Sequence, residues 1–211
     1  MAAVIFDFDG TLADTFPLVV DISYELSGAR RLPAKQIDAL RALPLLEAVR
    51  LGLGVSRWAL PRLTLLTRPR MYSRMHEVAL FAGIPEMLKA LRADGHTLYI
   101  VTSNRKRNVR AFLEAYQLDK YFDGIGTVLF GSVFYKVRGL RLLVRRKKLV
   151  PADCVYVGNE ALDVHAAQRV GMRTVAVTWS GHSRSALEVT RPDAVVDQPA
   201  ELPKVVRQWK Q

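Results

Sequence analysis

At 211 residues, half of them hydrophobic, the chain has enough apolar material for one full-sized core and a small accessory domain. Its single cysteine, Cys154, excludes an internal disulfide and points to a reducing, cytoplasmic setting; no apolar run is long enough to span a bilayer, and no signal peptide is expected ahead of a first strand that starts at residue 2 or 3. The net charge of +11 is uneven: residues 15–80 hold ten Lys/Arg against five Asp/Glu, and residues 105–148 hold twelve against three.

The first expected element is the apolar run Ala2 to Phe6, a buried parallel strand. Residues 15–80 read as helical, with no alternating strand. Within them Leu18–Leu26 and Ile37–Leu51 carry apolar residues three to four apart, Pro33, Pro44, Pro61 and Pro69 punctuate, and Gly52-Leu53-Gly54 reads as a helix stop. A strand–helix rhythm resumes near Gly83. It predicts a helix over Pro85–Ala93, a strand over Thr97–Val101 and a helix from Arg105 to Tyr116. A short strand within 125–130 and a basic helix over Val137–Lys147 follow. The last elements are a strand over Cys154–Val157, a helix over Ala161–Val170, strands over Thr174–Thr178 and Asp193–Val196, and a helix over Pro203–Trp209. Such alternation predicts an α/β fold, a parallel sheet covered by helices on both faces. The expected core domain comprises residues 1–14 and 81–211, with a helical domain, 15–80, inserted.

The chemistry-bearing residues cluster at predicted strand ends, where open α/β sheets bind ligands. The first strand ends in Asp7-Phe8-Asp9-Gly10-Thr11. Strand alternation puts Asp7 and Asp9 on one side, and Gly10 lets the chain turn so that both converge on one small ligand. One carboxylate can then be a nucleophile and metal ligand while the other moves a proton. The strand at Leu98–Val101 ends in Thr102-Ser103-Asn104. Hydroxyls there, with helix N–H groups beside them, suit an anion; Ser103 or Asn104 can equally be an ordinary helix cap. Arg138, Arg141, Arg145 and Lys148 recur at helical spacing opposite Leu142 and Leu149. No aromatic residues interleave them, so they read as a solvated face and no nucleic-acid partner is expected.

Asp7-Phe8-Asp9-Gly10-Thr11-Leu12-Ala13-Asp14-Thr15 resembles the first signature of the haloacid dehalogenase-like (HAD) hydrolases, most of which are magnesium-dependent phosphatases. The resemblance covers Val4 to about Leu202 and extends to phosphoglycolate phosphatases, to which the chain is similar. It implies a Rossmann-like parallel sheet plus a small all-helical cap that closes over the site, the cap being residues 15–80. It implies that Asp7 attacks phosphorus and forms an aspartyl phosphate, and that Asp9 protonates the leaving alcohol and then activates water. Ser103 matches the second motif and is implied to bind the phosphoryl group. Lys136 matches the family's lysine about twenty residues before the next signature strand, where a fixed cation is needed for the equatorial oxygens. Thr11 and Asn104 are further candidates for phosphate contacts.

Val155-Tyr156-Val157-Gly158-Asn159-Glu160-Ala161-Leu162-Asp163 resembles the family's strand-Gly-Asp-x-x-x-Asp signature, with Asn159 in place of the first Asp, Asp163 retained and Glu160 an extra acid. The implied cofactor is Mg2+, held by Asp7, the Asp9 main-chain oxygen, and Asn159 or Asp163. Asn159 offers a neutral oxygen where the family offers a charge, so weaker metal binding is expected. The expected activity is hydrolysis of a small phosphorylated metabolite. The alternatives are a phosphomutase with the same nucleophile, or a catalytically weak HAD protein that acts as a binding module. His76, His96, His165, His182, Trp58 and the Trp179-Ser180-Gly181 run are assigned no role.

Overall fold

Strand β1, Ala3–Phe6, is buried on both faces, which accounts for its continuous apolar character. In the computed structural model, which describes residues 2–209, it lies in the middle of a sheet with order β5-β4-β1-β6-β7-β8. The other members are β4 (Thr97–Thr102), β5 (Gly124–Thr127), β6 (Cys154–Gly158), β7 (Arg173–Val177) and β8 (Ala194–Val196), and every neighbouring pair is parallel.

Alternate residues of β1 feed two cores. Val4 and Phe6 pack with α5 (Ile84–Ala93), α6 (Lys106–Ala115) and α10 (Leu202–Gln208). Ala3 and Ile5 pack with α7 (Val133–Lys147) and α8 (Ala161–Gln168) on the opposite face. This is the expected α/β sandwich, a Rossmann-like parallel sheet with helices on both sides.

Between β1 and α5 the chain runs through α1 (Phe16–Ser27), α2 (Ala34–Ala39), α3 (Leu45–Leu53) and α4 (Leu60–Met71). Two short strands, β2 (Ala13–Asp14) and β3 (Ala79–Leu80), pair antiparallel where this helical segment leaves and rejoins the sheet. Val20, Tyr24, Val49 and Leu53 form a small core of its own, while Leu18, Ile22 and Met71 belong to the main core.

Four details differ from the sequence expectations. The segment Ile37–Leu51 is not one helix: Pro44 stands at the N-cap of α3, since its ring and missing N–H do not continue a helix from α2. The stop at Gly54 is as expected, with φ +64° at the C-cap. Helix α7 starts at Val133, not Val137, because the Ser132 hydroxyl accepts the Tyr135 N–H at 3.5 Å. Its buried stripe is Lys136, Leu140 and Leu143; Leu142 is exposed, and Arg138, Arg141, Arg145 and Lys148 face solvent. Helix α9 (Arg184–Glu188) and the pair β2–β3 carry too few residues to show a period.

Candidate active site

Three strand ends meet at one point. Phe6 lies opposite Ile100 of β4 and Val157 of β6, so the residues that follow these strands emerge together at the carboxyl edge. The chain builds β4 and β5 on one side of β1 and then crosses to β6 on the other. Asp7 therefore sits at the switch point where such sheets open a crevice.

Asp7 donates its N–H to the Val157 carbonyl at 2.8 Å, extending the ladder by one residue. Its side chain is nearly buried, and Oδ1 lies 2.9 Å from Lys136 Nζ. That same Nζ is 2.9 Å from Asp163 Oδ1 and stands over the ring of Tyr156. Burial pulls the Lys136 pKa down, but Asp163 and Asp7 outweigh burial and hold it well above its ordinary value, so the ammonium stays charged. Burial pushes the Asp7 carboxyl up to about 7, with Lys136 pulling against it and Asp163 and Asp9 adding to it.

Asp9 is turned toward Asp7's neighbourhood by Gly10, whose φ of +75° favours glycine and whose missing Cβ leaves room for the Asn159 amide. The Asp9 carboxylate accepts from Asn104 Nδ2 at 2.9 Å and from Thr102 Oγ1 at 3.4 Å. Burial raises its pKa, and the Thr15 and Asn104 side chains with the Arg68 charge offset part of that rise. Asn104 is pinned at its other end too, its Oδ1 accepting from the Arg105 N–H at 2.7 Å and from Asn108 Nδ2 at 2.9 Å. It orients Asp9 rather than capping α6, whose N-cap is Arg105. Ser103 is not the cap either; it lines the cleft close to Gly131. Thr11 is fully buried with its hydroxyl donated to Asn159 Oδ1 at 3.2 Å, and it is not part of the cleft wall.

Past β6, Glu160 is the N-cap of α8 and forms a capping box with Asp163, whose Oδ2 accepts the Glu160 N–H at 3.1 Å. Both Asp163 oxygens are thus engaged, one by the helix start and one by Lys136. Glu160 Oε1 accepts the Leu45 N–H at 2.8 Å, joining the sheet edge to the start of α3. Burial, and after it the Asp163 charge, push the Glu160 carboxyl up to about 7. Asn159 Nδ2 donates to Ser180 Oγ at 3.3 Å and lies 3.5 Å from His182 Nδ1; Ser180 Oγ and His182 Nδ1 are 3.0 Å apart. Ser180 and His182 carry no sequence motif of their own. The signal that finds them is position, just past the end of β7 on the same sheet edge.

Asp7, Asp9, Ser103, Asn104, Lys136 and Asn159 all face one cavity of about 410 Å3. The family model for haloacid dehalogenase-like hydrolases matches residues 4–177. The phosphoglycolate phosphatase of Synechococcus elongatus is 35% identical over 99% of this chain and 98% of its own length. The chain belongs to the haloacid dehalogenase-like hydrolase family. A 5'-nucleotidase of Pseudomonas aeruginosa is 26% identical over 96% of this chain and 94% of its own. Among solved structures, a HAD-like hydrolase from Streptococcus pneumoniae superposes with a TM-score of 0.80 at 22% identity, covering 97% of this chain and 98% of that one.

The donor chemistry of this HAD site fits a hard divalent cation. The Asp7 carboxylate, the Asp9 main-chain carbonyl and the Asn159 amide are all oxygen donors. Among the described residues no three His, Cys, Asp or Glu side chains form a metal cage. Lys136 contacts two acids, Asp7 and Asp163, and its charge also acts on Asp9 and Glu160. The raised pKa values of Asp7, Asp9 and Glu160 record the unfavourable burial that a cation relieves.

Proposed function

We propose that this HAD enzyme is a magnesium-dependent phosphatase that hydrolyses a small phosphomonoester through an aspartyl phosphate on Asp7, with residues 15–80 as a cap over the site and the cytoplasm as its setting. One observation carries the reading. Asp7 is held by Lys136 at 2.9 Å and lines the same cavity as Asp9, Ser103 and Asn104. The family membership and the phosphatase relatives support it.

In this mechanism a carboxylate oxygen of Asp7 attacks phosphorus while the bond from phosphorus to the ester oxygen breaks. Asp9, whose pKa burial raises, gives its proton to the departing alkoxide. The Asp9 carboxylate then takes a proton from the water that attacks phosphorus, the bond to Asp7 breaks, and inorganic phosphate leaves. Lys136 holds the negative charge of the phosphoryl oxygens in place, and Ser103 contributes a hydroxyl from the β4 end. A magnesium ion would be held by Asp7, the Asp9 main-chain oxygen, and Asn159 or Asp163, and would supply further charge neutralisation at the phosphoryl oxygens.

The test is phosphate release from phenyl phosphate with magnesium, by wild type and Asp7→Asn. Wild type is expected to turn over steadily, and Asp7→Asn to lose activity while its circular dichroism remains that of the folded protein. Undiminished release by a folded Asp7→Asn would overturn the mechanism, and failure of wild type to release phosphate would overturn the function.

A further inference from the structure

The cavity over Asp7 and Asp9 extends far beyond what a phosphoryl group fills. Its 410 Å3 equals the volume of about 14 water molecules. Away from the carboxylates its wall is made by Val19 of α1, Leu43, Leu46 and Val49 at and in α3, and Leu60 and Leu63 of α4.

Three guanidiniums touch this space, and none sits unpaired against the apolar wall. Arg41 is neutralised by both oxygens of Asp14, at 2.9 and 3.1 Å, and lies on the Phe16 ring. Arg68 donates to the Leu129 carbonyl, lies over Phe130, and acts electrostatically on Asp9, which places it at the phosphoryl end. Arg57 is exposed at the rim, beside the Trp58 ring. The Thr67 hydroxyl is already donated to the Leu63 carbonyl at 2.9 Å. The wall also carries Thr64 and the Ser23 hydroxyl, the latter buried without a hydrogen-bond partner among the described residues, so it offers isolated hydroxyls within an otherwise apolar surface. Of the three guanidiniums only Arg57 at the rim has no carboxylate or carbonyl partner among the described residues.

We infer that the alcohol half of the substrate is a hydrocarbon body, so that this enzyme acts on phosphomonoesters of apolar alcohols. The inference rests on the phosphatase reading for its chemistry, while the chamber itself can be probed by binding alone. Burial of one methylene is worth ~0.8 kcal/mol, about fourfold in affinity.

The experiment titrates ethyl-, butyl- and hexylphosphonate, and phosphonoacetate, into the full chain by calorimetry with magnesium present. The matching alkyl phosphates, whose leaving groups have near-equal reactivity, are assayed for turnover. The dissociation constant is expected to fall about fourfold per added methylene until the wall is met, with KM following it. Leu43→Gln and Leu63→Gln are each expected to flatten that gradient. An affinity independent of chain length, or phosphonoacetate bound more tightly than hexylphosphonate, overturns the inference. A clear gradient in binding with no phosphate released from any ester upholds the chamber and overturns the phosphatase reading instead.

Discussion

Asp163 Oδ1 and Lys136 Nζ are 2.9 Å apart, and the same ammonium is 2.9 Å from the Asp7 carboxylate. A buried cation shared by two buried acids is a charge network in which no member stands alone. Removal of the lysine leaves two carboxylates without compensation. Lys136→Met is therefore expected to destabilise the fold by about 3–5 kcal/mol. Urea unfolding measures the loss, and inorganic phosphate binding, read by calorimetry, should fall with it. A Lys136→Met protein as stable as wild type would show that the pair is incidental.

Asp9 is fixed by Asn104 and Thr102. Asp9→Asn keeps the shape and removes the proton. A loss of about 10²–10⁴ in turnover is expected, smaller for aryl than for alkyl phosphates, because a good leaving group needs less protonation. Equal losses on both substrate types would argue against the acid role.

Asn159 lies between Thr11 on one side and Ser180 and His182 on the other. Thr11 and Ser180 are hydroxyls that can rotate to donate to a carboxylate, so Asn159→Asp fits without repacking. It adds a negative charge beside the proposed metal and should tighten magnesium binding. Activity at limiting magnesium should rise more than activity at saturation. Unchanged magnesium affinity, read by calorimetry, would mean that Asn159 serves the Thr11–Ser180 network and not the ion.

Burial lifts the carboxyls of Asp7 and Glu160 to about 7, from ordinary values of 3.8 and 4.5. Between those limits the folded protein keeps protons that the unfolded chain has released. Stability of the metal-free protein should therefore fall as pH rises from about 5 to 7, by at most about 1.4 kcal/mol per pH unit for each group. The urea midpoint across this range measures it, and magnesium should reduce the slope. A midpoint that climbs with pH in the metal-free protein would contradict the burial of these two acids.

The parts of this molecule legible in the sequence are those whose residues speak locally. Val4–Phe6 is apolar because both faces are covered, and Asp7, Asp9, Ser103 and Lys136 follow strands or start helices at recognisable spacings. The rest depends on contacts between distant segments. The Thr11 hydroxyl reads as a phosphate contact until Asn159, 148 residues away, accepts it. Asn104 reads as a phosphate contact or a helix cap, and only the folded chain brings its amide to the Asp9 carboxylate. Glu160 reads as a spare acid, and only the folded chain brings the Leu45 N–H to it. Two-residue strands such as β2 and β3 have no period to detect, since their pairing comes from the chain crossing the same place twice.

The helical segment does not have equal freedom along its length. Leu18, Ile22 and Met71 root α1 and α4 in the main core, whereas α2 buries no side chain. Two walls of the chamber are thus anchored in the sheet's own core, while the stretch from α2 to the start of α3 is tied to the sheet edge by the Leu45 N–H on Glu160. Which ligands fit is therefore set jointly by residues on helices rooted in the main core and by residues such as Leu43 that are not.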